Sequence, residues 1–159
     1  MGVDYGLMKE QISAFAETDS WYLPLLSNAA AVLYNALPEI NWAGFYLLHQ
    51  ERLVLGPFQG KPACIHIAPG RGVCGTAVQE RRALRVADVH QFPGHIACDS
   101  ASRSEIVLPL EKDGEIFGVL DIDSPVPDRF SEEDEEGLKE TARRISELIV
   151  MEETVSGAV

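Results

Sequence analysis

From Asp4 through Glu17 the chain reads DYGLMKEQISAFAE, and its apolar residues return every three or four positions, the period of a helix with one buried face. SWYLPLLSNAAAVLYNAL repeats that period and predicts a second helix. Asp19 and Ser20 lie between the two and are residue types that cap helix N-termini, so the second helix is expected to be capped there. Two aromatic and aliphatic runs follow, NWAGFYLLHQ and RLVLGPFQG, joined by a polar turn at Gln50 and Glu51; they predict a hairpin with Trp42, Phe45 and Tyr46 on its first strand. ACIHIAP predicts a short strand, in which His66 points opposite to Ile65 and Ile67. GVCGTAVQERRA predicts a turn into a short helix, and LRVAD another strand. From Val89 to Arg103 no period is visible, as in a functional loop.

The clearest strand pair is EIVLPLEKD and EIFGVLDIDS, because Asp-Gly between alternating runs is a strong hairpin signal. After the breaker run SPVPDRF, the segment SEEDEEGLKETARRISELIVMEE predicts a final helix. Ser131 is its cap, acidic residues fill its first turn, and Asp134 stands three positions on. Helices at both ends of about six mostly antiparallel strands imply an α+β fold with the helices segregated to one side of the sheet. The other face is then free for a site under the long loop. Neither an internal repeat nor a linker divides the chain, so residues 1–159 are expected to form one domain.

Composition narrows the partners. The chain has 159 residues, 46% of them hydrophobic, enough for a real core. Its net charge of -12, with 13 Lys and Arg, disfavours nucleic acid and anionic membrane, which are bound through clustered cations. A cationic or zwitterionic small ligand fits better. MGVDYGLMKEQ lacks the basic and apolar regions of a secretory signal, and no run approaches a membrane span, so a cytoplasmic location is expected. Cys64, Cys74 and Cys98 are an odd set in an acidic chain, unlike a secreted disulfide scaffold. In a reducing compartment they are inert, metal-bound or redox-active.

The candidate chemistry centres on the strands. The two-residue period of VLDID sends Asp121 and Asp123 to one face and Leu120 and Ile122 to the other. Glu105 starts the neighbouring strand, where antiparallel pairing brings all three carboxylates together. Such a cluster is costly unless it shares a proton or meets a cation; the alternative is a solvated acidic face. Cys98 sits in a polar run with Asp99, Ser100 and Arg103, a setting for a reactive thiol rather than a core one. For Cys74, within GRGVCG, two readings stand: a thiol activated by a helix N-terminus, or a half-buried inert one. GRGVCG also matches G-x-G-x-x-G, but the following helix is short and Asp88 comes too soon for a ribose ligand, so the glycines are read as a strand-to-helix turn. His90, His95, Cys98 and Asp99 are close in sequence, as are Cys64 and His66, yet no zinc spacing appears. No metal and no cofactor are expected.

Taken together, NWAGFY, LGPFQGKPAC, GRGVCGTA, HIACDSASRSEIVLPL and GVLDIDSP resemble the free methionine-(R)-sulfoxide reductases, enzymes built on a GAF fold. The resemblance runs from Trp42 to RFSEED, with all three cysteines in register. It implies reduction of free methionine-(R)-sulfoxide to methionine without a bound cofactor and with thioredoxin as reductant. Carried over, Cys98 is the nucleophile, Cys64 the main resolving thiol and Cys74 a third thiol that substitutes or relays. Glu105, Asp121 and Asp123 match the substrate-binding carboxylates, and Trp42 and Tyr46 the aromatic wall. Glu105, crowded by two acids, suits the role of general acid. The apolar stripe on the terminal helices suits a homodimer. The rival reading keeps the fold and drops the chemistry: a non-catalytic GAF-type sensor of a small molecule or of redox state, a module expected beside an output domain.

Overall fold

The structure, a computed structural model, describes residues 2–95 and 100–152. Two helices open it, α1 (Tyr5–Thr18) and α2 (Tyr22–Ala36), followed by the strands β1 (Trp42–His49), β2 (Arg52–Gly60) and β3 (His66–Ile67). Helix α3 (Gly72–Glu80) precedes β4 (Leu84–Val86), and β5 (Ser104–Lys112), β6 (Glu115–Ser124) and α4 (Glu132–Leu148) complete the order. The strands form one sheet in the order β3-β2-β1-β6-β5-β4, antiparallel at every pairing, the α+β arrangement expected of a GAF-like fold.

Both hairpins close where the sequence signals them. Gln50 and Glu51 take positive φ values of 52° and 66°, and Asp113 and Gly114 take 55° and 81°, the left-handed pair that matches strand twist in a two-residue turn. Strand alternation then sorts the residues. Ala43, Phe45, Ile106, Leu108, Leu120 and Ile122 face α1, α2 and α4, where they meet Ile12, Leu26, Leu33, Leu138 and Ile145 in the main core. Each such side chain, fully removed from water, contributes about 1.5–3 kcal/mol.

Two expectations change. Helix α2 has no side-chain cap: Asp19 Oδ1 accepts from the Trp21 amide at 2.9 Å, and the orphan Tyr22 amide donates to the Val150 carbonyl at 2.8 Å instead. That parallel bridge between Trp21 and Val150 also stops α4 at Leu148, since Val150 must be extended to pair. In the ACIHIAP segment only His66 and Ile67 are strand; Ile67 is buried but Ile65 is 64% exposed, so the two do not share a face. The terminal helices α1, α2 and α4 share one face of the sheet as expected, and the short α3 packs on the opposite face. There Val73, Cys74 and Ala77 join Trp42, Tyr46, Val107 and Val119 in a second core. The final helix does begin as expected: Ser131 Oγ accepts from the Asp134 amide at 3.1 Å, and Asp134 Oδ2 accepts from the Ser131 amide at 2.9 Å, a capping box.

Candidate functional site

The second core is interrupted by a cavity of about 50 Å³ bounded by β1, β5, β6 and α3. At roughly 10–15 Å³ per water centre it has room for a few water-sized groups. Its acidic wall follows from register: Asp123 stands opposite Glu105 on one side and Trp42 on the other, and Asp121 opposite Val107 and Gly44. Glu105 and Asp121 are buried, and Asp123 is half-buried. Burial, then the neighbouring charges of Asp121 and Asp123, push the Glu105 carboxyl well above its usual range. Burial also raises Asp121, although contacts with Glu105, Cys74 and Asp123 offset part of that rise. The cluster therefore favours retaining a proton, and Glu105 is the carboxyl pushed furthest that way.

Trp42 and Tyr46 form the aromatic wall, stacked at 5.9 Å between centroids and 25° between planes. Phe58, unnoticed in the sequence, extends the stack, with its centroid 5.2 Å from that of Trp42. The signal was Gly44, paired with Phe58 in the hairpin: a Cβ there would lie 2.3 Å from the Phe58 Cβ, so only glycine admits the ring. Both polar handles of the wall are spent on one loop. Trp42 Nε1 donates to the Lys61 carbonyl at 3.1 Å and the Tyr46 hydroxyl to the Cys64 carbonyl at 2.9 Å. The rings thus offer apolar faces to the cavity while holding the segment that bears Cys64.

The cysteines separate clearly. Cys74, third residue of α3, is a free and buried thiol whose Sγ lies 3.9 Å from Glu105 Oε2. Burial, then the charges of Asp121, Glu105 and Asp123, raise its pKa well above the ordinary thiol value, opposing the helix N-terminus. Cys64 is disulfide-bonded. Cys98 and Asp99 lie outside the described residues. The glycines of GRGVCG serve the turn: Gly70 and Gly72 have φ values of 81° and 61°, and a Cβ on Gly75 would lie 2.4 Å from the Ala68 carbonyl.

Arg71 and His95 also line the cavity, and neither had been read as a ligand contact. Burial, then the His90 imidazole, lower the His95 pKa, leaving that ring neutral at pH 7. Arg71, exposed and just before the N-terminus of α3, brings a permanent positive charge to the cavity lining. Its only signal in sequence was a cation immediately preceding a helix. The site is thus dipolar, acidic on the sheet and positive at the helix end, a match for a small zwitterion.

This fold and this polarised cavity define a GAF domain, and the GAF domain family model matches residues 13–149. Among curated relatives, protein YtsP of Bacillus subtilis is 53% identical over 148 residues, 92% of this chain and 91% of that protein. The free methionine-R-sulfoxide reductase of Escherichia coli is 52% identical over 145 residues, covering 91% and 88% of the two chains. The structure of Staphylococcus aureus fRMsr in complex with substrate superposes with a TM-score of 0.89 at 52% identity, covering 94% of this chain and 98% of that one. The chain belongs to the free methionine-R-sulfoxide reductases, the thiol-dependent oxidoreductases of the GAF fold.

Proposed function

We propose that this protein reduces the R epimer of free methionine sulfoxide to methionine, with Cys98 as nucleophile and Cys64 as resolving thiol. The observation that carries the reading is the buried triad Glu105, Asp121 and Asp123 lining a small cavity under an aromatic wall, in a chain 52% identical to a reductase of that substrate. The Cys98 thiolate attacks the sulfoxide sulfur, and Glu105, whose burial favours its protonated form, protonates the oxygen. Oxygen transfer releases methionine and leaves Cys98 as a sulfenic acid. The Cys64 thiol then attacks that sulfur, expelling water and forming a disulfide. A thioredoxin dithiol reduces the disulfide by exchange, so each turnover converts one sulfoxide and one dithiol into methionine, water and a disulfide. In support, among the described residues Cys64 is disulfide-bonded, while Cys74 is a buried free thiol suited to a subsidiary role.

Aspartates at the ammonium end and Arg71 at the carboxylate end explain a preference for the free amino acid, since a residue within a peptide has neither charge. A homodimer and a cytoplasmic location belong to the same proposal; Leu7 and Phe15 on α1, 50% and 39% exposed, supply apolar surface for the dimer.

The test follows NADPH consumption with thioredoxin, its reductase and free methionine-R-sulfoxide. Turnover is expected, with Cys98→Ser abolishing even a single methionine release and Cys64→Ser sparing that first release but blocking recycling. Absence of turnover, or equal turnover of peptide-bound sulfoxide, overturns the reading.

A further inference from the structure

We propose that Cys74, Glu105 and Asp121 also form a binding site for a borderline-soft divalent cation such as Zn²⁺. Among the described residues this is the group whose thiol and carboxylate donors converge, with one ligand atom from each lying within 4.8 Å of the others. Among the described residues, the histidines noted in the sequence join no such group. His90 and His95 meet only ring edge to ring face, with centroids 6.0 Å apart.

An independent observation points to a missing ligand. Asp121, 5% exposed, lines the cavity with Oδ1 buried and without a hydrogen-bond partner. A buried carboxylate oxygen left unpaired costs about 1–3 kcal/mol or more, a cost that a cation removes. Donors sharing one tetrahedral zinc sit roughly 3.3–3.8 Å apart, given bonds of about 2.0–2.3 Å, so the three side chains need close by no more than about 1.5 Å. One thiolate with two carboxylates suits Zn²⁺, or its spectroscopic probe Cd²⁺. Ca²⁺ would demand six or more oxygens and Mg²⁺ a near-ideal oxygen octahedron. The cavity leaves the fourth position for water, and binding releases the Cys74 proton to solvent. Because the same acids receive the substrate ammonium in the reading above, the cation is expected to compete with substrate. That second expectation rests on the proposed function; the site itself does not.

The experiment titrates the full-length protein, in its disulfide form and stripped of metals, with Cd²⁺. Thiolate-to-cadmium absorption and equilibrium dialysis report binding. One Cd²⁺ per chain is expected, displaced by Zn²⁺, with the absorption band lost in Cys74→Ser and affinity reduced about tenfold or more in Asp121→Asn. Failure to bind at millimolar Cd²⁺, a band that survives Cys74→Ser, or unchanged affinity in Asp121→Asn overturns the site. Binding through these ligands that free methionine-R-sulfoxide fails to displace supports the metal site and counts against the substrate assignment instead.

Discussion

Replacing Asp121 with Asn should stabilise the protein while impairing its site, and the size of the gain follows from the geometry. Ligand atoms of Glu105 and Asp121 lie within 4.8 Å, so two full charges there, at an effective dielectric of about 20, repel by at least about 3.5 kcal/mol. The folded protein avoids most of this by keeping a proton on Glu105, whose pKa burial and the two aspartates raise. The unfolded chain has no such need and releases that proton near pH 4. Between that pH and the raised folded pKa, the native state binds more protons than the unfolded state, so stability falls as pH rises. Asp121→Asn removes the charge that acts most strongly on Glu105 and lets Glu105 ionise at lower pH. The expected gain is about 2 kcal/mol at pH 8, or about 4–8 °C in Tm, shrinking towards zero at pH 5. Circular-dichroism melts at several pH values, with wild type and variant in the same redox state, measure it. A variant whose Tm tracks wild type with the same pH slope would refute a shared buried proton. KM for free methionine sulfoxide should rise in the same protein, separating the functional cost from the structural gain.

Arg71→Ala should raise KM for free methionine sulfoxide about tenfold while leaving KM for its carboxyl amide nearly unchanged; an equal rise for both removes Arg71 from carboxylate recognition. Tyr46→Phe deletes the hydroxyl that donates to the Cys64 carbonyl, so it should cost about 1 kcal/mol by denaturant titration and slow thioredoxin-linked recycling more than the first methionine release. Asp134→Asn weakens a carboxylate that accepts from Tyr5, Ser131 and Arg129. Burial pushes that carboxyl up, but the Ser131 amide, the Tyr5 and Ser131 hydroxyls and the Arg129 charge outweigh it and hold its pKa low. Its contribution is therefore present above the unfolded pKa and lost as pH falls through the folded one. The variant should lose about 1–2 kcal/mol at pH 7 and converge with wild type in acid, which melts at pH 7 and pH 3 check.

Period and turn chemistry were enough to place most elements, because those signals are local. The alternation of VLDID, the Asp-Gly hairpin and the Ser131 cap each depend on a few adjacent residues, and Asp121, Asp123 and Glu105 converge as strand register requires. The strand period of VLDID and the neighbouring Glu105 likewise marked the acidic wall of the cavity, whereas Cys98 lies outside the described residues. The start of α2 was misread because its first amide is satisfied by Val150, more than a hundred residues away. The packing of α3 on the opposite face, the burial that raises the Cys74 thiol, and the seating of Phe58 against Gly44 also arise from long-range packing. So does the positive charge that Arg71 brings to a cavity whose acids lie on distant strands. Short-range patterns in the chain specify helices, strands and side-chain faces, whereas dielectric, proximity and hydrogen-bond satisfaction exist only once those faces meet.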